Sequence, residues 1–110
     1  MRVYFIVKPL GAYTLKKLHQ SIEAVFDENI DSLHILNTLK KGHAIELTQK
    51  AIDEKAELVV ACGGDGTINE VARGLVETEI PIGIVPLGSG NGIARHLSLI
   101  HISEPTRLGM

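Results

Sequence analysis

The sequence has little of what marks a secreted, membrane-spanning or nucleic-acid-binding protein. A single cysteine, Cys62, excludes a framework of internal disulfide bonds and fits a reducing cytoplasm. No apolar run approaches the roughly 20 residues that a membrane-spanning helix needs, and residues 1–8 are too short and too strand-like for a signal peptide. The net charge of -2 gives no sign of a nucleic-acid partner. We therefore expect a soluble, cytoplasmic protein that binds no nucleic acid.

The chain also lacks the spacing of a side-chain metal centre. Its five histidines are scattered, so each is interpreted as a solvated or packed side chain and not as a metal ligand. Cys62 ends an apolar strand and is expected to be a small buried core residue. At 110 residues the chain is one domain at most, yet long enough to bury a core.

What the sequence does contain is a regular alternation of strands and helices. Apolar runs predict strands over residues 3–7, 58–62 and 80–85, the last of them interrupted early by Pro81, and Leu33, Ile35 and Leu36 predict another strand that ends near Thr38. Apolar residues at three- and four-residue spacing predict a helix between each pair of strands, and Thr14 is predicted to cap the first helix. This order predicts an α/β fold, a parallel sheet with helices on both faces, whose ligands bind beyond the carboxyl ends of the strands.

The most informative stretch is residues 58–71, where an apolar strand enters a glycine-rich turn and then a helix. Gly63, Gly64 and Gly66 allow positive φ angles and close approach of backbone N–H groups, and the helix start favours an anion. Asp65 would repel phosphates unless it faces a metal or bonds to the loop or a ribose, which suggests Mg²⁺-nucleotide chemistry. The alternative is a tight turn that Asp65 merely caps.

A second glycine-rich loop follows the fourth strand as the first follows the third. It reads PLGSGNG over residues 86–92, where Gly88 exposes its N–H and Ser89 and Asn91 add short hydrogen-bonding side chains. Taken alone, this loop is equally typical of a flexible turn or linker. Neither loop matches the Walker A or the GxGxxG pattern. Together, at one edge of the sheet, the two loops predict one phosphate site of another type.

These motifs carry a family resemblance. GGDGTINEV at residues 63–71, Gly74-Leu75 and PLGSGN at residues 86–91 resemble the diacylglycerol kinase catalytic domain family, especially bacterial lipid kinases of the YegS and BmrU type. The resemblance covers about residues 1–96 and implies a Rossmann-like fold of the NAD kinase and diacylglycerol kinase type. GGDGT alone is shared with NAD kinases and related phosphofructokinases. A fragment of an NAD kinase and a non-catalytic nucleotide-binding module therefore remain as alternatives.

The resemblance also implies which residues meet the ATP. The positions that match the family's nucleotide-contacting residues are Thr38, Gly63, Gly64, Asp65, Gly66, Thr67, Ile68, Asn69, Gly88, Ser89 and Asn91. Where the family generally has Asn-Pro near the start, this chain reads KPLG, so Lys8, Pro9 and Gly11 are weaker candidates. Lys8 either meets a phosphate or is a solvated loop charge. For Glu70 we expect a role in orienting the loop or in capping, not in proton abstraction.

The implied reaction is transfer of the γ-phosphoryl group of ATP to a lipid hydroxyl, such as that of diacylglycerol, with Mg²⁺ on the phosphates. In this family the catalytic base and a structural metal site lie in a second, β-rich domain after the matching segment. We therefore expect no catalytic residue in this chain and no activity from it alone. The resemblance leaves open peripheral contact with a membrane and a homodimer.

The end of the sequence points to a different origin. Residues 97–107, LSLIHISEPTR, resemble the codon-by-codon translation of a transposase sequencing adapter. We therefore expect residues 1–96 to form the nucleotide-binding domain and residues 97–110 to be a non-native tail that stands where the β-rich domain would follow.

Overall fold

The structure, a computed structural model, describes residues 1–27 and 31–87, together with the backbone of residues 101–103. Within these ranges the chain forms β1 (Arg2–Val7), α1 (Ala12–Val25), β2 (Ser32–Asn37), α2 (His43–Asp53), β3 (Leu58–Gly63), α3 (Asp65–Leu75), β4 (Ile82–Pro86) and β5 (His101–Ser103). None of the helices in the described ranges has the length and apolar character needed to cross a bilayer.

The strands form one sheet in the order β2-β1-β3-β4-β5. The first four strands are parallel, and β5 pairs antiparallel with β4. β1 and β3 occupy the middle of the sheet and are buried on both faces, which explains why they are nearly continuous apolar runs. The predicted parallel α/β fold is confirmed. β5 falls within residues 97–110, whose foreign origin stays a prediction.

The helices cover both faces of this sheet, as predicted. Side chains alternate between the faces along a strand, so β1 contributes to two cores. Val3, Phe5 and Val7 pack with buried residues of α1 on one face. Tyr4 and Ile6 pack with buried residues of α2 and α3 on the other face. Each helix is therefore held by one apolar stripe.

The strand order creates a crevice at the carboxyl edge. From β1 the chain moves outward to β2 on one side and then returns to β3 on the other side. Val7 lies in register with both Asn37 of β2 and Cys62 of β3, so the three strands end at the same level. In open α/β sheets, ligands bind outside the strand ends at such a reversal of strand order. The crevice lies beyond the ends of β1 and β3.

Two element boundaries differ from the predictions by more than one residue. Helix α1 begins at Ala12 with Gly11 as its N-cap residue, so Thr14 lies inside the first turn and does not cap it. Strand β4 begins at Ile82, two residues later than predicted, because Pro81 has no N–H to donate to a neighbouring strand. Apolar periodicity identifies the buried face of an element but not its first residue.

Candidate functional site

Strand β3 passes into helix α3 with only one residue between them. Gly63 ends the strand, and Gly64 is the N-cap of the helix in an extended conformation, with φ -90° and ψ -168°. The helix begins at Asp65, and the Ile68 N–H donates to the Gly64 carbonyl at 3.0 Å. The amides of residues 65–67 have no partner inside the helix, so the positive end of its dipole faces the crevice.

The glycines of this turn do not adopt positive φ, which corrects the expectation from sequence. Among the described glycines, only Gly42 has a φ in the left-handed region, at 86°. Gly63 is required for a different reason. A Cβ built on Gly63 would lie 2.8 Å from Oγ1 and 2.9 Å from Cβ of Thr67. At Gly66 such a Cβ would meet no heavy atom within 4 Å, so this glycine leaves space open to a ligand.

A cleft of about 450 Å³ opens at the carboxyl edge beside the start of α3. Five of the residues predicted from sequence line it, namely Lys8, Pro9, Thr38, Gly66 and Thr67. They come from the loop after β1, the end of β2 and the first turn of α3, which are at least 28 positions apart in sequence. The parallel sheet brings these three segments together.

The remaining predicted residues lie elsewhere. Asp65 and Asn69 are exposed in the first turns of α3, outside the lining of the cleft, and Ile68 packs against the core. Gly11 is the exposed N-cap of α1 and also lies outside the lining. Gly63 and Gly64 shape the turn that sets the direction of α3. Gly88, Ser89 and Asn91 lie outside the described residues.

Two lysines in the cleft were missed by the reasoning from sequence. Lys40 and Lys41 line the cleft together with Lys8, so three cations surround one concave surface. The signal was present, because the two lysines lie two and three residues after Thr38, near which the second strand was predicted to end. Cations that converge on a cleft focus its potential and attract a polyanion.

Lys8 is fixed in place and is not a freely solvated loop charge. Its backbone N–H donates to the Cys62 carbonyl at 3.1 Å. Its side chain is half-buried, and Nζ donates to the Leu87 carbonyl at 3.2 Å. Lys8 thus ties the end of β1 to Leu87, which belongs to the described start of the second glycine-rich loop.

The turn between β2 and α2 is held against α3. The Gly42 N–H donates to Oε2 of Glu70 at 3.2 Å, and Gly42 is the left-handed N-cap of α2. Inside the turn, the Leu39 N–H donates to Nδ1 of His43 at 2.8 Å. The Glu70 carboxylate therefore orients the turn that carries Lys40 and Lys41, whereas the expected role was at the glycine-rich turn before its own helix.

Cys62 has the surroundings of a core residue. It is fully buried at the end of β3, and burial raises the pKa of its thiol to about 12. A thiol in this state is neutral at physiological pH and is neither a nucleophile nor a metal ligand. The expectation of a structural cysteine is confirmed.

A second polar cluster lies at the amino edge, far from the cleft. The Tyr4 hydroxyl donates to Oε1 of Glu54 at 2.6 Å, and Nη2 of Arg2 donates to the Tyr4 hydroxyl at 2.9 Å. Hydrogen bonds from Lys50 and Tyr4 lower the pKa of the Glu54 carboxyl. Because these groups satisfy one another, the cluster joins β1 to the end of α2 and is structural.

Comparison with known sequences identifies relatives of the chain. The family model of the diacylglycerol kinase catalytic domain matches residues 2–107. A probable YegS-like lipid kinase from Klebsiella pneumoniae is 40% identical over 85 residues, which cover 76% of this chain and 28% of that protein. Sphingosine kinase 1 from Arabidopsis thaliana is 33% identical over 105 residues, which cover 87% of this chain and 22% of that protein.

The fold has relatives among solved structures as well. A diacylglycerol kinase from Bacillus anthracis superposes with a TM-score of 0.67 and 31% identity, over 88% of this chain and 41% of that chain. The chain spans less than half the length of each of these relatives. Since the family model covers nearly all of the sequence, and the strand, turn and helix that carry GGDGT are in place, the chain belongs to the diacylglycerol kinase catalytic domain family.

Proposed function

We propose that this chain is the ATP-binding part of a lipid kinase, which transfers the γ-phosphoryl group of ATP to a lipid hydroxyl. One observation carries the proposal: the start of α3, Thr38 and three lysines open onto a single cleft at the reversal of strand order. Family membership supports the kinase assignment, because the relatives named above are lipid kinases.

The charges and shape of the cleft suit a triphosphate. The amides of residues 65–67 and the dipole of α3 attract phosphate oxygens, and the missing side chain of Gly66 leaves the approach open. Lys40 and Lys41, in the turn after β2, add positive charge to the same cleft. We assign the phosphates to this cleft, with Thr38 and Thr67 as hydroxyl contacts.

The donor set also fits a magnesium ion held mainly by the nucleotide. Among the described residues, no three His, Cys, Asp or Glu side chains are grouped to hold a metal. Asp65 offers one exposed carboxylate beside the start of α3, and Mg²⁺ commonly binds one or two carboxylates together with phosphates and water. When bound, Mg²⁺ neutralises charge on the phosphate oxygens. We propose Asp65 as its protein contact.

The chain's own residues bind and orient the nucleotide in this proposal, and they do not supply the base. Among the described residues that line the cleft, Glu70 alone has a carboxylate, and its Oε2 already accepts a hydrogen bond from the Gly42 N–H. We therefore propose that the acceptor pocket and the base belong to a β-rich domain that follows in a longer protein. The remaining family-matched residues, Asn69, Gly88, Ser89 and Asn91, stay proposed nucleotide contacts.

The test requires the uninterrupted genomic reading frame past residue 96. The encoded protein is incubated with radiolabelled ATP, Mg²⁺ and one of three acceptors: diacylglycerol, a sphingoid base or NAD. We expect a β-rich domain in the reading frame and label in the lipid fraction. A stop codon soon after Arg95 would contradict the proposal.

The same experiment separates the alternatives. Label in the dinucleotide without label in lipid would identify an NAD kinase. A protein that ends near residue 96, binds ATP and labels no acceptor would be a nucleotide-binding module without catalysis. We prefer the lipid kinase to both alternatives because the family model that matches the chain is that of the diacylglycerol kinase catalytic domain.

A further inference from the structure

The turn between β2 and α2 carries two of the three lysines of the cleft and is held at both of its ends. Its start is fixed to the sheet, because the Thr38 N–H donates to a carbonyl of β1 at 2.8 Å. Its end is fixed to α3 by the hydrogen bond from the Gly42 N–H to Glu70. Lys40 and Lys41 lie between these two points. The position of the two lysines therefore depends on what holds the middle of the turn.

His43, the first residue of α2, holds the middle of the turn with two hydrogen bonds. Its backbone N–H donates to the Lys40 carbonyl at 3.1 Å. Its ring nitrogen Nδ1 accepts from the Leu39 N–H at 2.8 Å. The two bonds run in opposite directions between the start of α2 and the turn. His43 thus fixes the backbone that carries both lysines.

The bond to the ring defines the protonation state that the turn requires. A backbone amide can only donate, so Nδ1 of His43 must offer its lone pair, and the proton of the neutral imidazole lies on Nε2. When the ring takes up a second proton, Nδ1 becomes a donor and can no longer accept from the Leu39 N–H. Imidazole is the side chain that changes charge between about pH 5 and 8. Mild acid therefore removes one of the two bonds that hold the middle of the turn.

The charged groups around His43 are of both signs. The two lysines lie in the turn itself, Glu46 is exposed three residues later on α2, and Glu70 reaches the turn from α3. Lys8, at the end of β1, lines the cleft beside the turn. His43 is half-buried and lies outside the lining of the cleft. Its influence on an anion in the cleft is therefore exerted through the turn and not by direct contact.

We propose that His43 is a positioning residue of the nucleotide site, which holds Lys40 and Lys41 at the cleft only while its ring is neutral. The inference rests on the proposed function, because it takes the cleft as the site of the ATP phosphates. ATP binding then weakens as the pH falls, since a turn that has lost the bond to the ring must be ordered when the phosphates bind. The loss of a hydrogen bond of ordinary strength makes this weakening about fivefold.

A second effect of protonation acts in the opposite direction. The imidazolium adds a positive charge near the cleft, and a positive charge attracts phosphate. Because the His43 ring does not line the cleft, salt screens this attraction, and we expect the lost hydrogen bond to outweigh it. The substitution His43→Lys separates the two effects, since lysine supplies the charge without an acceptor.

The test is calorimetric titration of the full chain with Mg²⁺ and ATP at about pH 8 and about pH 5.5, on either side of the imidazole range. His43→Asn is the matched variant, because the asparagine Oδ1 is as many bonds from the backbone as Nδ1, accepts a hydrogen bond and does not titrate. The affinities of the unchanged chain and of this variant are compared as a ratio at each pH, which cancels the titration of ATP itself. We expect equal affinities at the higher pH and about fivefold weaker binding by the unchanged chain at the lower pH.

Two further variants test the physical cause. At about pH 8, where the ring of the unchanged chain is neutral, His43→Lys should bind ATP about fivefold more weakly than the unchanged chain, because it lacks the acceptor. His19→Asn makes the same exchange as His43→Asn at an exposed position of α1 and should keep the pH dependence of the unchanged chain. An affinity ratio that stays constant with pH, tighter ATP binding by His43→Lys, or a lost pH dependence in His19→Asn would overturn the role of His43.

Nuclear magnetic resonance of the isotope-labelled chain tests the same contact without ATP. The amide resonance of Leu39 should shift as the His43 ring titrates in the unchanged chain and should show no such shift in His43→Asn. A Leu39 resonance that does not respond to the ring would also overturn the inference. A resonance that follows the ring in a folded chain that binds no ATP would refute the proposed nucleotide site and leave the control of the turn by His43 standing.

Discussion

At the scale of single residues, the glycines of the GGDGT turn have two different tasks. Gly63 lets the end of β3 approach Thr67 closely, and Gly66 keeps space open at the lining of the cleft. The sequence predicts that glycine is needed in this turn. It does not reveal which glycine is required by packing and which by a ligand, because that depends on a contact made only when α3 docks on β3.

We expect Gly63→Ala to destabilise the chain by about 1–3 kcal/mol, because the new methyl group would overlap Thr67 unless the start of α3 moves. Gly66→Ala is the matched control. Its methyl group meets no neighbour, and alanine is the better helix former, so stability should stay the same or rise by up to about 1 kcal/mol. Urea unfolding followed by circular dichroism measures both. Equal effects of the two substitutions would refute the assigned tasks.

Asp65 is expected to matter for the metal-bound nucleotide and little for the fold. It is exposed at the start of α3, where a carboxylate stabilises the helix dipole by less than about 1 kcal/mol. In the longer parent protein we expect Asp65→Ala to abolish phosphoryl transfer while the thermal unfolding curve stays close to that of the unchanged protein. Retained turnover together with unchanged ATP affinity would contradict the role assigned to Asp65.

At the scale of elements, the carboxyl edge is built from segments that are distant in sequence. Glu70 and Gly42 are 28 residues apart and form the bond that fixes the turn after β2 against α3. Lys8 and Leu87 are 79 residues apart and join the ends of β1 and β4. The alternation of strands and helices is readable from local periodicity. The two long-range hydrogen bonds cannot be predicted from local periodicity, because they depend on the order of the strands in the sheet.

The bond between Glu70 and Gly42 can be tested with a graded pair of substitutions. Glu70→Ala leaves the Gly42 N–H without its acceptor, and we expect a loss of about 1–2 kcal/mol together with weaker ATP binding as Lys40 and Lys41 lose their fixed position. Glu70→Gln keeps an oxygen acceptor and should restore most of the stability. Urea unfolding and calorimetric titration with ATP report the two effects. An equal loss of stability in both variants would show that the bond is not what Glu70 contributes.

At the scale of the whole molecule, two cores hold the helices to opposite faces of one sheet, and Cys62 lies in the first of them. The layered α/β architecture could be predicted because the central strands β1 and β3 are apolar runs and each helix has a single apolar stripe. The strand order β2-β1-β3-β4 could not be predicted from the sequence, because the local apolar pattern does not specify which strands are neighbours.

The buried thiol of Cys62 predicts a loss of stability in alkali. The pKa is about 12 in the folded chain against an ordinary value of 9.0, so the thiol ionises first in the unfolded chain. The free energy of unfolding should therefore fall by roughly 1 kcal/mol per pH unit as the pH rises from about 9 towards 12. Burial also raises the pKa of Tyr4, which acts in the same direction.

Urea unfolding at several pH values isolates the contribution of Cys62. Cys62→Ala should be less stable at neutral pH because it leaves a small cavity, but its stability should decline less steeply above pH 9. If the free energy of unfolding fell equally steeply with pH in the variant and in the unchanged chain, a group other than Cys62 would control the loss of stability in alkali.

The central claim is that the cleft beside the start of α3 binds the phosphates of ATP, and calorimetric titration of this chain with Mg²⁺ and ATP tests it most directly. We expect one ATP per chain, at least tenfold weaker binding in Gly66→Val, whose side chain would enter the cleft, and unchanged binding in Ala12→Val, which places the same side chain in the first turn of α1. Folded protein that binds no ATP, or a Gly66→Val variant that binds ATP as tightly as the unchanged chain, would contradict the claim.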